Sequence, residues 1–382
     1  VSTRPRNRRQ LIVEAAGKVF SERGYHAASM EQIAADVGIT AAALYRHFPG
    51  KYDLFRDCAN LLIDHLLEAV SDLPDDADLE RVLRTIAELT VDHRSYGGIY
   101  RWESRYLGAE DLGEIRVKVD RVVRRVVAAA GGGPNPSADD RLRAVAALGA
   151  IGSITTHHAT MARRRLVGLL TEVALRVIGT DVGSLPRTDP TRAEPVEEPP
   201  ASRTRSAEIL AAAIPLFARD GFANVTLGHI AEVVGVAPSA LYRHYPSKVD
   251  ILAAACLQAA TMLDQSVREA LRDPGDATGA VAALARAYVG YSFRHHLLTQ
   301  VGTAEIAGLP EPLRTQLIRA QREHVALWED HLVAARDDLD PRAARVEVHA
   351  GLGVVAESGR LLHWQDGNEE RVTALLMHAL GL

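Results

Sequence analysis

Residues 43–53 read ALYRHFPGKYD and residues 240–250 read ALYRHYPSKVD, one eleven-residue unit carried twice at an offset of 197. The correspondence runs on without gaps over about 50 residues in each copy, pairing Phe20 with Phe217, Gly24 with Gly221, Ile33 with Ile230 and Gly38 with Gly235. A chain of 382 residues is long for one domain and sufficient for two, each with its own core. Between the copies, TDVGSLPRTDPTRAEPVEEPPA at 180–201 is dense in Pro, acidic and small polar residues and has no helical period, which reads as a linker.

Long segments such as QLIVEAAGKVFSERG (10–24) and RVVRRVVAAA (121–130) place apolar residues three or four apart among good helix formers, and β-branched alternation is almost absent. The expected fold is all-α, with about nine helices per half. Within 29–53, Ser29 can cap a short helix carrying Ile33, Ala34 and Val37 on one face. Gly38 permits a left-handed turn, and Thr40 can cap a second helix whose Leu44 faces the first. Two short helices across a tight glycine turn describe a helix-turn-helix. The second copy has Thr226, Gly235 and Ala237 in the same places, with Pro238 in the first turn of its second helix, where proline is tolerated. The domains expected are a first helix-turn-helix headpiece at 1–56, a helical body at 57–180, a Pro/acidic linker at 181–201, a second headpiece at 202–253 and a second body at 254–382.

With 47% apolar and 24% charged residues the chain has the balance of a globular protein. No apolar run approaches the ~20 residues of a membrane span, and VSTRPRNRRQ lacks the apolar core of a secretion signal, so a cytoplasmic protein is expected. Cys58 and Cys256 have no metal-ligand spacing and read as buried thiols. The net charge of -5 excludes a histone-like binder, yet residues 1–53 hold eight Lys and Arg against five Asp and Glu. A basic end on an acidic body suits a protein that turns one face to phosphates.

Glycine turn, short helix, LYRHF and a lysine shortly after it, preceded by a helix ending FSERGY or FARDGF, resemble the DNA-binding headpiece of the TetR/AcrR family of bacterial regulators. Two copies in one chain are similar to the tandem TetR regulators of actinobacteria. The resemblance implies phosphate contacts by Tyr45, His47 and Lys51 and by Tyr242, His244 and Lys248, which would position a headpiece without reading sequence. Packing of the tyrosine rings between helices, or a helix-end hydrogen bond for the histidines, is the bland alternative. Ser29 and Thr226 belong to the same DNA-facing set. Base reading falls to the first turn of each second helix, at Thr40, Ala41 and Ala42 in one copy and Pro238 and Ser239 in the other. Small groups there suit thymine methyls. Arg46 and Arg243 can reach guanine or phosphate. Arms around Arg6 and Arg8, and around Arg203 and Arg205, can enter a minor groove or remain solvated.

The resemblance further implies pairing through the last two helices of each half, 143–179 and 344–380, supplied here in cis as an intrachain pseudo-dimer, with further self-association left open. It implies a ligand pocket framed by 78–130 and 276–337, for which Trp102, Tyr106, His157, Glu305 and Trp328 are the candidate lining groups. The partners expected are a double-stranded DNA operator and a small-molecule inducer, with no membrane. The histidine pairs at 157–158 and 295–296 lack i, i+4 metal spacing, and neither G-x-S-x-G nor H-E-x-x-H occurs. No enzyme activity, cofactor or metal is therefore expected. The leading function is a repressor; the alternative is a binding or scaffold protein with only the first headpiece active on DNA.

Overall fold

The computed structural model describes residues 8–99, 104–157, 159–185 and 204–382. The chain divides into two compact units, Val1–Gly179 and Thr180–Leu382. Among the described residues every regular element is helical.

Unit 1 holds α1 (Arg8–Ala27), α2 (Met30–Val37), α3 (Ala41–His47), α4 (Lys51–Ser71), α5 (Leu79–Asp92), α6 (Ala109–Ala129), α7 (Ala138–Gly152) and α8 (Arg163–Ile178). Helix α1 packs on α2 and α4, while α4, α5 and α6 lead on to the α7–α8 pair. Unit 2 repeats the order with α9 (Arg205–Asp220), α10 (Leu227–Val234), α11 (Pro238–Leu241), α12 (Lys248–Ala270), α13 (Ala277–Arg294), α14 (His296–Ala304), α15 (Glu311–Ala335), α16 (Pro341–Leu361) and α17 (Glu369–Ala379). Here α9 lies on α10 and α14, α13 on α12, α15 and α17, and α16 on α17.

The core of each headpiece follows from the spacing of its apolar residues. Ile12, Ala16 and Phe20 form one stripe of α1 and are fully buried with Ile33, Leu44, Leu54 and Phe55. Their counterparts Ile209, Ala213, Phe217, Ile230, Leu241, Ile251 and Leu252 are equally buried. Removing a side chain such as Phe20 or Phe217 from that packing would cost about 3–5 kcal/mol. Both cysteines are buried and free, and burial pushes the Cys256 thiol up to about 12. Neither is poised for thiolate chemistry.

Residues 186–201 lie outside the described residues, but Val182 is 1% exposed within unit 2 and its carbonyl accepts from Arg371 Nε at 3.3 Å. The first residues after α8 are therefore packed structure.

Candidate nucleic-acid interface

Each headpiece is built around one glycine turn. Gly38 ends α2 at φ 73°, ψ 33°, and Gly235 ends α10 at φ 73°, ψ 35°. This is the left-handed region, where a Cβ costs about 1–2 kcal/mol. A Cβ added at either position meets nothing within 4 Å, so glycine is required by the backbone and not by space.

Capping sets the helices on either side. Ser29 Oγ accepts from Gln32 N at 3.2 Å and Gln32 Oε1 accepts from Ser29 N at 3.3 Å, a reciprocal capping box at the start of α2. Thr226 and His229 repeat it at α10. Thr40 Oγ1 then accepts from Ala43 N at 3.1 Å to open α3. Ala237, in Thr40's place, offers no such acceptor; α11 spans four residues where α3 spans seven.

The side chains expected on DNA emerge as follows. Tyr45 and Tyr242 are 47% and 57% exposed, so their rings are not packed between helices. Arg46, His47 and Arg243 are exposed beside them with no partner among the described residues; His244 is exposed and its Nδ1 lies 3.3 Å from Ser206 Oγ. Thr40, Ala42, Thr226, Pro238 and Ser239 are exposed, and Ala41 and Ser29 are half-buried. Three free polar groups on one short helix end make a surface that can accept phosphate oxygens or base edges.

The two lysines are held by main-chain carbonyls. Lys51 Nζ donates to the carbonyls of Tyr25 at 2.9 Å, Ala28 at 3.1 Å and His26 at 3.4 Å, and it lies 4.6 Å over the Tyr25 ring. Lys248 Nζ does the same with Phe222 at 2.6 Å, Val225 at 2.7 Å and Ala223 at 3.4 Å, 4.2 Å over the Phe222 ring. An ammonium has three protons, and all are used by main-chain carbonyls at the end of the first helix. Burial lowers the pKa of both lysines. In this structure both ammonium groups cap the turn that leads into the helix-turn-helix.

Of the basic arms, Arg6 and Arg203 lie outside the described residues. Arg8 is exposed at the first residue of α1, while Arg205 pairs with Glu208 at 2.6 Å. Arg9 is bound to Asp57 at 2.6 Å and lies 4.6 Å over the Phe48 ring, which fastens the start of α1 to the headpiece. No local sequence signal pointed to that contact.

The candidate ligand residues do not gather. Trp102 lies outside the described residues. The ring of Tyr106 lies 5.5 Å from Tyr25 and 4.7 Å from His26, centroid to centroid, at the headpiece. Glu305 Oε1 accepts from Phe222 N at 3.0 Å, also at the headpiece. His157 Nδ1 sits 3.0 Å from its own-turn carbonyl at Ser153, and Trp328 is fully buried with its Nε1 donating to His324 Nε2 at 3.2 Å. A groove of about 680 Å³ in unit 1 is lined by Arg121, Arg124, Arg125, Asp64 and Glu68, and one of about 580 Å³ in unit 2 by Arg286, Arg294, Glu269 and Asp273. None of the four described candidates, Tyr106, His157, Glu305 and Trp328, is among the residues lining either groove. Among the described residues no helix is long and apolar enough to cross a membrane.

Comparison with known proteins agrees with this geometry. The family model described as bacterial regulatory proteins, tetR family, matches twice, at residues 12–58 and 209–255. The HTH-type transcriptional activator FasR of Mycolicibacterium smegmatis is 35% identical over 108 residues, covering 27% of this chain and 49% of FasR. The nucleoid occlusion factor SlmA of Photorhabdus laumondii is 36% identical over 92 residues, covering 24% of this chain and 46% of SlmA. The chain thus spans about half the length of these relatives. A TetR-family regulator from Bordetella parapertussis 12822 superposes with a TM-score of 0.42 at 22% identity, over 46% of this chain and 94% of that one. With a complete glycine-turn headpiece in each unit and a family match on both, the chain belongs to the TetR family of bacterial regulatory proteins, as a tandem member carrying two headpieces.

Proposed function

We propose that the chain is a DNA-binding regulator of transcription, acting as a repressor, that sets its two headpieces on the two halves of one operator and leaves it when a small molecule binds a body. One observation carries the reading. Tyr45, Arg46 and His47 stand exposed on a glycine-turn frame that recurs, dihedral for dihedral, beneath Tyr242, Arg243 and His244. Residues kept at the surface in both copies, in a region whose core is also kept, suit a shared partner, and phosphate is the partner their chemistry fits.

Pairing of the two bodies within the chain is part of this reading. Small residues are buried along α7 at Ala146, Ala147, Gly149 and Ala150 and along α16 at Ala343, Ala344, Ala350 and Gly351, as close helix approach requires. Footprinting with counted protein tests the proposal. One chain should protect two half-sites, and two chains each protecting one half-site would sink it.

A second reading, in which only the first headpiece works on DNA, draws on the four-residue α11 and its missing side-chain cap. Arg243→Ala separates the two: it weakens binding under the first reading and leaves it unchanged under the second.

A further inference from the structure

The headpiece of unit 2 is held to its body by two polar side chains from a single corner. Gln300, on α14, donates from Nε2 to the carbonyl of Ala218 at 2.9 Å, in the last turn of α9. Glu305, at the end of α14, is only 8% exposed, and its Oε1 accepts from Phe222 N at 3.0 Å. Phe222 directly follows Gly221, which closes α9 at φ 77°. Its carbonyl is one of the three that receive Lys248, at 2.6 Å. The residue is thus gripped at both ends, by a carboxylate from the body and an ammonium from α12, and Thr226, four residues on, caps α10. A buried carboxylate that keeps a main-chain donor from going unpaired is costly to remove, because the amide stays buried without a partner.

Unit 1 ties the matching turn by other means. Tyr106 stacks on Tyr25 and meets His26 edge to face, and the Tyr52 hydroxyl accepts from Gly108 N at 2.7 Å while donating to Asp111. The two headpieces are therefore linked to their bodies by different side chains, ring contacts and a tyrosine hydroxyl in one and a glutamate carboxylate and a glutamine amide in the other.

We propose that Glu305 is a positioning residue for the second headpiece: through Phe222 N it fixes the turn that sets the angle of α10 and α11, and so carries displacements of the α14 corner to the second reading surface alone. The proposal rests on the reading that this headpiece occupies a half-site. Its test therefore has one arm that needs no DNA. In the full chain without DNA, Glu305→Ala should speed amide hydrogen exchange at Phe222 and across α10 and α11 about tenfold, with α2 and α3 unchanged. Glu305→Gln, whose amide oxygen still accepts, should restore most of that protection. In footprints resolved by half-site, Glu305→Ala should lower occupancy of one half-site about tenfold and leave the other, while Tyr106→Leu should do the converse. Unchanged exchange in Glu305→Ala, loosening of both headpieces together, or no rescue by Gln overturns the proposal. Selective exchange with no half-site effect overturns the DNA-positioning role. If no two-half-site operator is bound at all, the functional reading fails, and the exchange arm still decides whether Glu305 sets the headpiece.

Discussion

Lys51 and Lys248 stand in the most recognisable part of the repeat, yet their ammonium groups face inward to three carbonyls each. Lys51→Ala should therefore cost stability, on the order of 1–3 kcal/mol for a charged group bonded to main-chain carbonyls, discounted because the side chain is half exposed. It should lower the thermal midpoint and leave the slope of log K against log salt for DNA unchanged. Arg46→Ala should show the opposite pattern, an unmoved midpoint and, if the guanidinium sits on phosphate, a slope smaller by about one. A salt slope that falls in Lys51→Ala would return the lysine to the phosphates. The contrast shows what was readable at this scale. Tyr45, Arg46 and His47 could be placed from sequence because polar residues beside the buried Leu44 of a short helix must face out. The carbonyls that claim Lys51 lie 23 to 26 residues upstream, and the amide that claims Glu305 lies 83 residues away. Main-chain acceptors leave no mark on side-chain pattern, so neither contact could be read from the sequence.

At the scale of elements, the helix-turn-helix was legible because each of its signals is local: Ser29 and Thr226 as caps, the positive φ of Gly38 and Gly235, and proline opening α11. The unequal length of α3 and α11 was less legible, since LYRH is common to both. The difference lies at the first residue, where Thr40 supplies a side-chain acceptor and Ala237 none. Ala237→Thr should stabilise the second reading helix by about 1 kcal/mol, seen as greater amide protection from Ala240 to His244; unchanged protection would show that some other constraint shortens the helix. Helix α15 carries an acid-sensitive pair that its amphipathic pattern did not reveal. Trp328 Nε1 donates to His324 Nε2, which requires that nitrogen to be unprotonated, and burial lowers His324 from 6.5 to about 4, with Asp264 opposing weakly. His349 on α16 falls to about 4 for the same reason, helped by the charge of Arg345. The unfolded chain takes up these protons near pH 6.5 and the folded chain only near 4, so stability is full above about 6.5 and drains as pH falls toward 4. The loss is on the order of 3 kcal/mol for each histidine. His324→Gln should flatten the thermal midpoint of unit 2 against pH across that window; a slope equal to that of the unaltered chain would show that His324 titrates normally.

For the molecule as a whole, the duplication was visible as a constant offset, whereas the bodies offered only helical composition, because core packing among long helices tolerates many apolar sequences. The duplication also frees the two reading surfaces to differ. In a homodimer both headpieces have one sequence and a two-fold axis imposes matching half-sites. Here Thr40 stands where the second copy has Ala237, Ala41 where it has Pro238, and Ala42 where it has Ser239, while tyrosine, arginine and histidine recur behind them. Thr40, Ala42, Ala237, Pro238 and Ser239 are all exposed, so the difference reaches the surface that would meet base edges. The operator bound by one chain should accordingly hold two related but unequal half-sites, with centres about one helical turn or somewhat more apart. Exchanging the bases in which the half-sites differ should weaken binding by about 1–3 kcal/mol per lost contact. Exchanging residues 40–42 with residues 237–239 in the protein should restore it. Tight binding of two chains to a perfect palindrome, each through its first headpiece, would contradict this and make the second copy a remnant held by its fold alone.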